Sequence, residues 1–232
     1  MVPAMADDLP RGEEKAKAVR AMFDAISERY DLVNRIMTLR LDLRWRRRCV
    51  SELRLQPGSL VADLACGTGD LCRDIARGGL RPIGFDFSLG MLGHARTDAP
   101  LTQADALRLP LPDRSVDGIT CGFALRNFTD LDRFLTESAR VVRAGGRIAL
   151  LEVAEPRLAV LRWGHSLYFG KVVPRIGALL SDASAYRYLP RSVAYLPATA
   201  DLVAMVRTAG FTDVRHRLLS GGISQLITAT RA

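Results

Sequence analysis

The apolar positions of this chain follow two rhythms that alternate along most of its length. From Glu13 to Ser27 they recur at spacings of three and four, as Val19, Met22, Phe23 and Ile26, which predicts an amphipathic helix. Tyr30 to Met37 continues in that style and leads into an arginine-dense stretch. After the Pro57-Gly58 turn, an apolar run beginning at Leu60 predicts a short buried strand. Strand and helix patterns then alternate. Helix Leu71 to Arg77 is followed by strand Arg81 to Asp86, a helix capped by Ser88 and running to about Thr97, and a short strand around Leu101. Strand Val116 to Cys121, helix Asp130 to Val142 and strand Arg147 to Val153 complete the run. This rhythm predicts an α/β fold with a doubly wound, mostly parallel sheet. Helix Thr199 to Ala209, stopped by Gly210, and strands near Val214 to Leu218 and Ser224 to Thr230 bring the sheet to seven strands.

The pattern also marks what lies outside the sheet. Residues 1–11 read as a flexible tail and 12–232 as one domain, with 12–55 a helical cap. Residues 157–197 are rich in aromatics and prolines and contain no clean strand. An insertion after the fifth strand sits above the carboxyl edge of such a sheet, where substrates bind.

Composition narrows the class. With 48% hydrophobic and 25% charged residues, the 232-residue chain is that of a globular protein. No uncharged apolar stretch reaches about 18 residues, and the acidic start (Asp7, Asp8, Glu13, Glu14) lacks the order of a signal peptide, so a cytoplasmic location is expected. The four cysteines form no C-x-x-C pair, and reduced thiols with no structural zinc are expected. A net charge of +8 invites a nucleic-acid reading, but no zinc finger, basic zipper or aromatic-glycine RNA motif accompanies it. Its densest part, residues 40–48, places Arg40, Arg44 and Arg47 on one helix face with Leu41 and Trp45 beside them. Arginine with tryptophan suits an anionic membrane surface, so peripheral contact through Arg40, Arg44, Trp45 and Arg47 is expected rather than nucleic acid. The competing reading is a solvated helix face. The residues leave the oligomeric state open.

The chemistry centres on Val61-Ala62-Asp63-Leu64-Ala65-Cys66-Gly67-Thr68-Gly69-Asp70. Strand, glycine-bearing turn and helix in that order bring free N–H groups and a positive dipole end to a bound ligand. Gly67 and Gly69 allow close backbone approach. The dinucleotide fingerprint asks for a third glycine where Cys72 stands. Asp86, at the end of the next strand, is placed to hold ribose hydroxyls. Asp63 suits an ammonium group better than a pyrophosphate, which it would repel. Together they favour an S-adenosylmethionine site over a dinucleotide site.

The loop and element order resemble class I S-adenosylmethionine-dependent methyltransferases, which carry a Rossmann-like sheet. Arg29-Tyr30-Asp31-Leu32 with Asn34, Trp45-Arg46-Arg47, Leu125-Arg126-Asn127, Pro174-Arg175-Ile176-Gly177 and Tyr186-Arg187-Tyr188-Leu189 narrow the match. With Leu219-Ser220-Gly221-Gly222-Ile223 they resemble the UbiE/MenG/Coq5 quinone C-methyltransferases over roughly residues 20–223. That resemblance implies methylation of a ring carbon of a demethylmenaquinol-type quinol in menaquinone biosynthesis. It also implies that Thr68, Asp86, Asp105, Ala106 and Gly122 line the cofactor, with Asp86 on the ribose and Asp105 near the adenine amino group. The chain departs from the family pattern at Cys66, Gly122, Pro190-Arg191 and residues 224–229. The alternative is a divergent paralogue acting on another hydrophobic phenolic or polyketide-like molecule.

Methylating a quinol carbon requires a proton acceptor and an oxyanion stabiliser, but no metal. Arg126, following the fourth strand, is the candidate oxyanion stabiliser, with a salt bridge to Asp130 as the competing role. Asn127 holds that loop or touches the substrate. His165, Tyr186 and Tyr188 are candidates to accept the proton or hold a water that does.

Overall fold

The computed structural model describes residues 12–154, 156 and 192–232. Three helices open the chain: α1 (Gly12–Ile26), α2 (Tyr30–Met37) and α3 (Leu41–Leu53). The alternating part follows with β1 (Leu60–Leu64), α4 (Asp70–Arg77), β2 (Arg81–Asp86), α5 (Leu89–Gly93), β3 (Leu101–Gln103) and β4 (Val116–Gly122). Next come α6 (Leu131–Val141), β5 (Val142–Val153), α7 (Thr199–Thr208), β6 (Phe211–Leu219) and β7 (Ser224–Arg231). No described helix is long and apolar enough to cross a membrane.

The seven strands lie in the order β3-β2-β1-β4-β5-β7-β6. All pairings from β3 to β5 are parallel, and β7 runs antiparallel to both its neighbours. The order turns outward on either side of the β1–β4 pair, which opens a crevice at their carboxyl ends.

The period-2 rule decides which residues cover each face. Ala62 and Leu64 of β1, Ile148 and Leu150 of β5, and Ile227 of β7 pack with Phe134 and Leu135 of α6 and Leu202 of α7. Their neighbours Val61, Ala149, Leu151 and Leu226 point the other way, onto Trp45 and Leu53 of α3 and Ile75 of α4. Both faces are therefore apolar, and the central strands are buried.

One element is shorter than its sequence predicts. Ser88 caps α5, its hydroxyl accepting from the Met91 N–H at 3.0 Å, but the helix ends at Gly93 rather than near Thr97. Gly90 and Gly93 weaken it. The Arg96 N–H then donates to the Thr68 carbonyl (3.0 Å), drawing the chain onto the loop after β1.

Candidate active site

The loop after β1 is shaped by backbone conformations that most residues avoid. Ala65, Gly67 and Gly69 all have positive φ, at 54°, 56° and 81°. A Cβ on Gly69 would lie 2.5 Å from Thr97 Cγ2, so position 69 has both a conformational and a steric reason to be glycine. Gly69 caps α4, and its N–H donates to the Cys66 carbonyl at 2.9 Å.

Asp86 ties this loop to its neighbour. One carboxylate oxygen accepts from the Gly67 N–H at 2.7 Å and the other from the Ser88 N–H at 2.8 Å. Burial pushes its carboxyl above the ordinary range, against the pull of those two bonds. A carboxylate offers about four lone-pair sites, so two remain for ligand hydroxyls.

Asp86 stands in the wall of a cavity at the carboxyl ends of β1, β2 and β4. Ala65, Gly67, Asp105, Ala106 and Gly122 share that wall, and Phe87, Met91 and Leu107 give it an apolar side. Asp105 holds its own loop by accepting from the Leu107 N–H at 2.9 Å. The empty space, open mouth included, is about 860 Å³. Phe123, another lining residue, also has positive φ, at 60°. Non-glycine residues held there at the tips of β1 and β4 mark a strained rim of the kind found at binding sites. A buried carboxylate, an apolar side and a glycine-bearing loop in one cavity wall fit S-adenosylmethionine.

Three residues expected at the cofactor lie behind this wall. Gly69 belongs to the cap of α4. Thr68 is buried, and its hydroxyl donates to Asp31 of α2 at 2.6 Å. Asp63 is fully buried, accepting from the Thr120 hydroxyl at 2.7 Å and the Cys72 thiol at 3.5 Å. Burial pushes the Asp63 carboxyl up to about 7. Folding therefore takes up a proton between about pH 4 and pH 7, and stability falls as pH rises through that window. We expect the urea midpoint of the wild type to drop relative to Asp63→Asn on moving from pH 5 to pH 8; a constant difference would refute the assignment. All four cysteines are free and buried, and burial raises the Cys49 and Cys121 thiols.

The turn Leu125–Asn127 follows β4. Asn127 lines the cavity; Arg126 does not. Arg126 forms a buried ion pair with Glu152 of β5, and its Nε donates to the Ser192 hydroxyl at 3.0 Å. Asp130, weighed above as its partner, instead caps α6 by accepting from the Arg133 N–H at 2.8 Å. His165, Tyr186 and Tyr188 lie outside the described residues, as do residues 1–11 and 157–191 of the expected tail and insertion.

The cap contributes a residue that the sequence marked only as part of a motif. Tyr30, at the start of α2, lines the cavity and packs edge-on against Phe23, with ring centroids 5.8 Å apart. Burial pushes its phenol up, so it holds its proton and remains a donor.

The arginine stretch needs a correction. Trp45 is buried: its indole N–H donates to the Ser220 hydroxyl at 2.8 Å, and its ring lies 6.2 Å from that of Phe123. Trp45, Cys49 and Leu53, spaced four apart, form the face that α3 turns to the sheet. Arg40, Arg44 and Arg47 are exposed, whereas Arg46 is buried in an ion-pair cluster with Asp42 and Asp70.

The sheet order and the cavity at the β1–β4 crevice define a class I S-adenosylmethionine-dependent methyltransferase. A solved "SAM-dependent methyltransferase" of Thermotoga maritima shares the fold at a TM-score of 0.65 and 19% identity, covering 92% of this chain and 99% of that one. The chain belongs to the ubiE/COQ5 methyltransferase family, whose model matches residues 11–231. It is 41% identical to the demethylmenaquinone methyltransferase of Deinococcus radiodurans, over 91% of this chain and 92% of the relative. It is 40% identical to the protein of the same name from Roseiflexus castenholzii, over 96% and 97%.

Proposed function

We propose that this protein methylates a ring carbon of a demethylmenaquinol-type quinol. The observation that carries the reading is near-full-length similarity to relatives named for that reaction, joined to a cavity with a mixed polar and apolar wall. The alternative phenolic or polyketide-like acceptor has no comparable support.

S-adenosylmethionine, when bound, supplies an electrophilic methyl group. The chain's own part is to position and to manage protons. Asp86 would bind ribose hydroxyls, Asp105 and Ala106 would flank the base, and Gly67 and Gly122 would leave room for the tail. Phe23, Phe128 and Tyr30 also line the cavity and suit a flat ring. A quinol carbon becomes nucleophilic as its hydroxyl gives up a proton, leaving an oxyanion to be stabilised. Tyr30 and Asn127 line that space, and the Tyr30 hydroxyl would donate to that oxyanion. Arg126, its charge balanced by Glu152, anchors the turn that carries Asn127. His165, Tyr186 and Tyr188 remain the candidate proton acceptors, and the enzyme would work in the cytoplasm at the inner membrane face.

The test is methyl transfer to a short-tailed acceptor in its reduced and oxidised forms. Transfer should occur only to the quinol, and Tyr30→Phe should slow it about tenfold, the cost of one hydrogen bond, at unchanged cofactor affinity. Equal transfer to the quinone would overturn the mechanism.

A further inference from the structure

Helix α2 is apolar on two sides. Val33 and Met37 are buried against the body of the protein, yet Leu32 and Ile36, four apart on another face, are 54% and 38% exposed. Leu39, just beyond the helix, is 72% exposed. Leu39 and Arg40 both have positive φ, at 51° and 62°. Neither is glycine, so a strained corner between α2 and α3 holds Leu39 out to solvent.

The surroundings are basic. The groove beside these residues is lined by five arginines (35, 40, 47, 73 and 77) and two aspartates, Asp70 and Asp74. Both aspartates are buried and already paired, Asp70 with Arg35 and Arg73 and Asp74 with Arg77. Among the described residues neither Arg40 nor Arg47 has an ion-pair partner. The positive surface continues around α4 to Arg81 and Arg96.

We propose that the α2–α3 corner docks the protein on an anionic membrane, with Leu39, Ile36 and Leu32 entering the headgroup boundary and the arginines meeting lipid phosphates. Charge alone would fit RNA equally well; an exposed apolar ridge at the centre of the charge fits a bilayer. The same helix presents Tyr30 to the cavity and is tied to the cofactor loop by the Asp31–Thr68 hydrogen bond. Docking through its outer face therefore brings the cavity wall to where a lipid-tailed quinol resides. The proposal takes its purpose from the quinol reading and its geometry from the exposed corner.

The test is co-sedimentation of the full chain with vesicles of phosphatidylglycerol and phosphatidylcholine, against pure phosphatidylcholine. Binding is expected only to the anionic vesicles. Each arginine near such a surface is worth about a fivefold change in partitioning, so Arg40→Gln with Arg47→Gln should lower it about 25-fold. Ile36→Ser with Leu39→Ser should lower it by about tenfold or more, and high salt should not restore it. Both double variants should keep wild-type transfer to a short-tailed, water-soluble quinol. Absence of vesicle binding, or wild-type binding by the serine variant, overturns the proposal. RNA capture that depends on the arginines but not on the apolar residues overturns it as well. Vesicle binding without any transfer to the soluble quinol leaves the docking face standing and refutes the acceptor reading instead.

Discussion

Asp86→Ala is expected to weaken S-adenosylmethionine binding by about a hundredfold or more. The carboxylate has two duties in one position. It accepts from the N–H groups of Gly67 and Ser88, fixing the loop after β1 against the start of α5. It also faces the cavity, where its remaining lone pairs would take ribose hydroxyls. A hydrogen bond to a charged group is worth about 1.5–3 kcal/mol, and two backbone donors would be left without their acceptor. Asp86→Asn separates the duties, because its one carbonyl oxygen can satisfy only part of this set. Calorimetric titration with the cofactor should rank wild type, Asn and Ala in falling affinity, with a lower melting temperature for Ala. Unchanged affinity in the alanine variant would remove Asp86 from the cofactor site.

The largest stability effect is expected at Glu152. Its side chain is fully buried at the end of β5, where it pairs with the Arg126 guanidinium and accepts from the N–H groups of Val153 (2.8 Å) and Arg126 (3.3 Å). Ser224 of β7 donates to its main-chain carbonyl at 2.8 Å. Removing one partner of a buried pair leaves the other charge without compensation, at a cost of about 3–5 kcal/mol. Glu152→Ala should therefore show that loss in urea denaturation and displace the turn carrying Asn127. The double change Glu152→Gln, Arg126→Gln removes both charges and should recover part of the stability. A Glu152→Ala protein as stable as wild type would mean that the pair does not hold this end of the sheet.

How much of this could be read in advance depends on whether a feature is local. The loop after β1 was legible because strand, glycine turn, helix and the acid at 86 follow one another within one unit. The strand faces were legible because a period of two assigns each side. Partners across the fold were not. Arg126 was weighed against Asp130, four residues on, whereas its partner Glu152 lies 26 positions away on the neighbouring strand. Trp45 looked like a surface anchor because arginines surround it in sequence, yet the helix turns it inward onto Ser220. Position in the loop points Asp63 and Thr68 to the cofactor, whereas their side chains bond Thr120 and Asp31. Tyr30 shows the converse, since only the packing of α1 and α2 over the sheet edge brings it into the cavity wall. Periodicity says which way a residue faces, and only the fold says what it meets.

Carbon methylation of a demethylated menaquinol is open to a direct assay. It is tested most directly by incubating the purified protein with methyl-labelled S-adenosylmethionine and a reduced demethylmenaquinone, then identifying the labelled product by mass spectrometry and NMR. Menaquinone, with the label on a ring carbon, is the expected product. Label on a ring oxygen, or a protein that binds the cofactor and leaves this quinol unmodified, would contradict it.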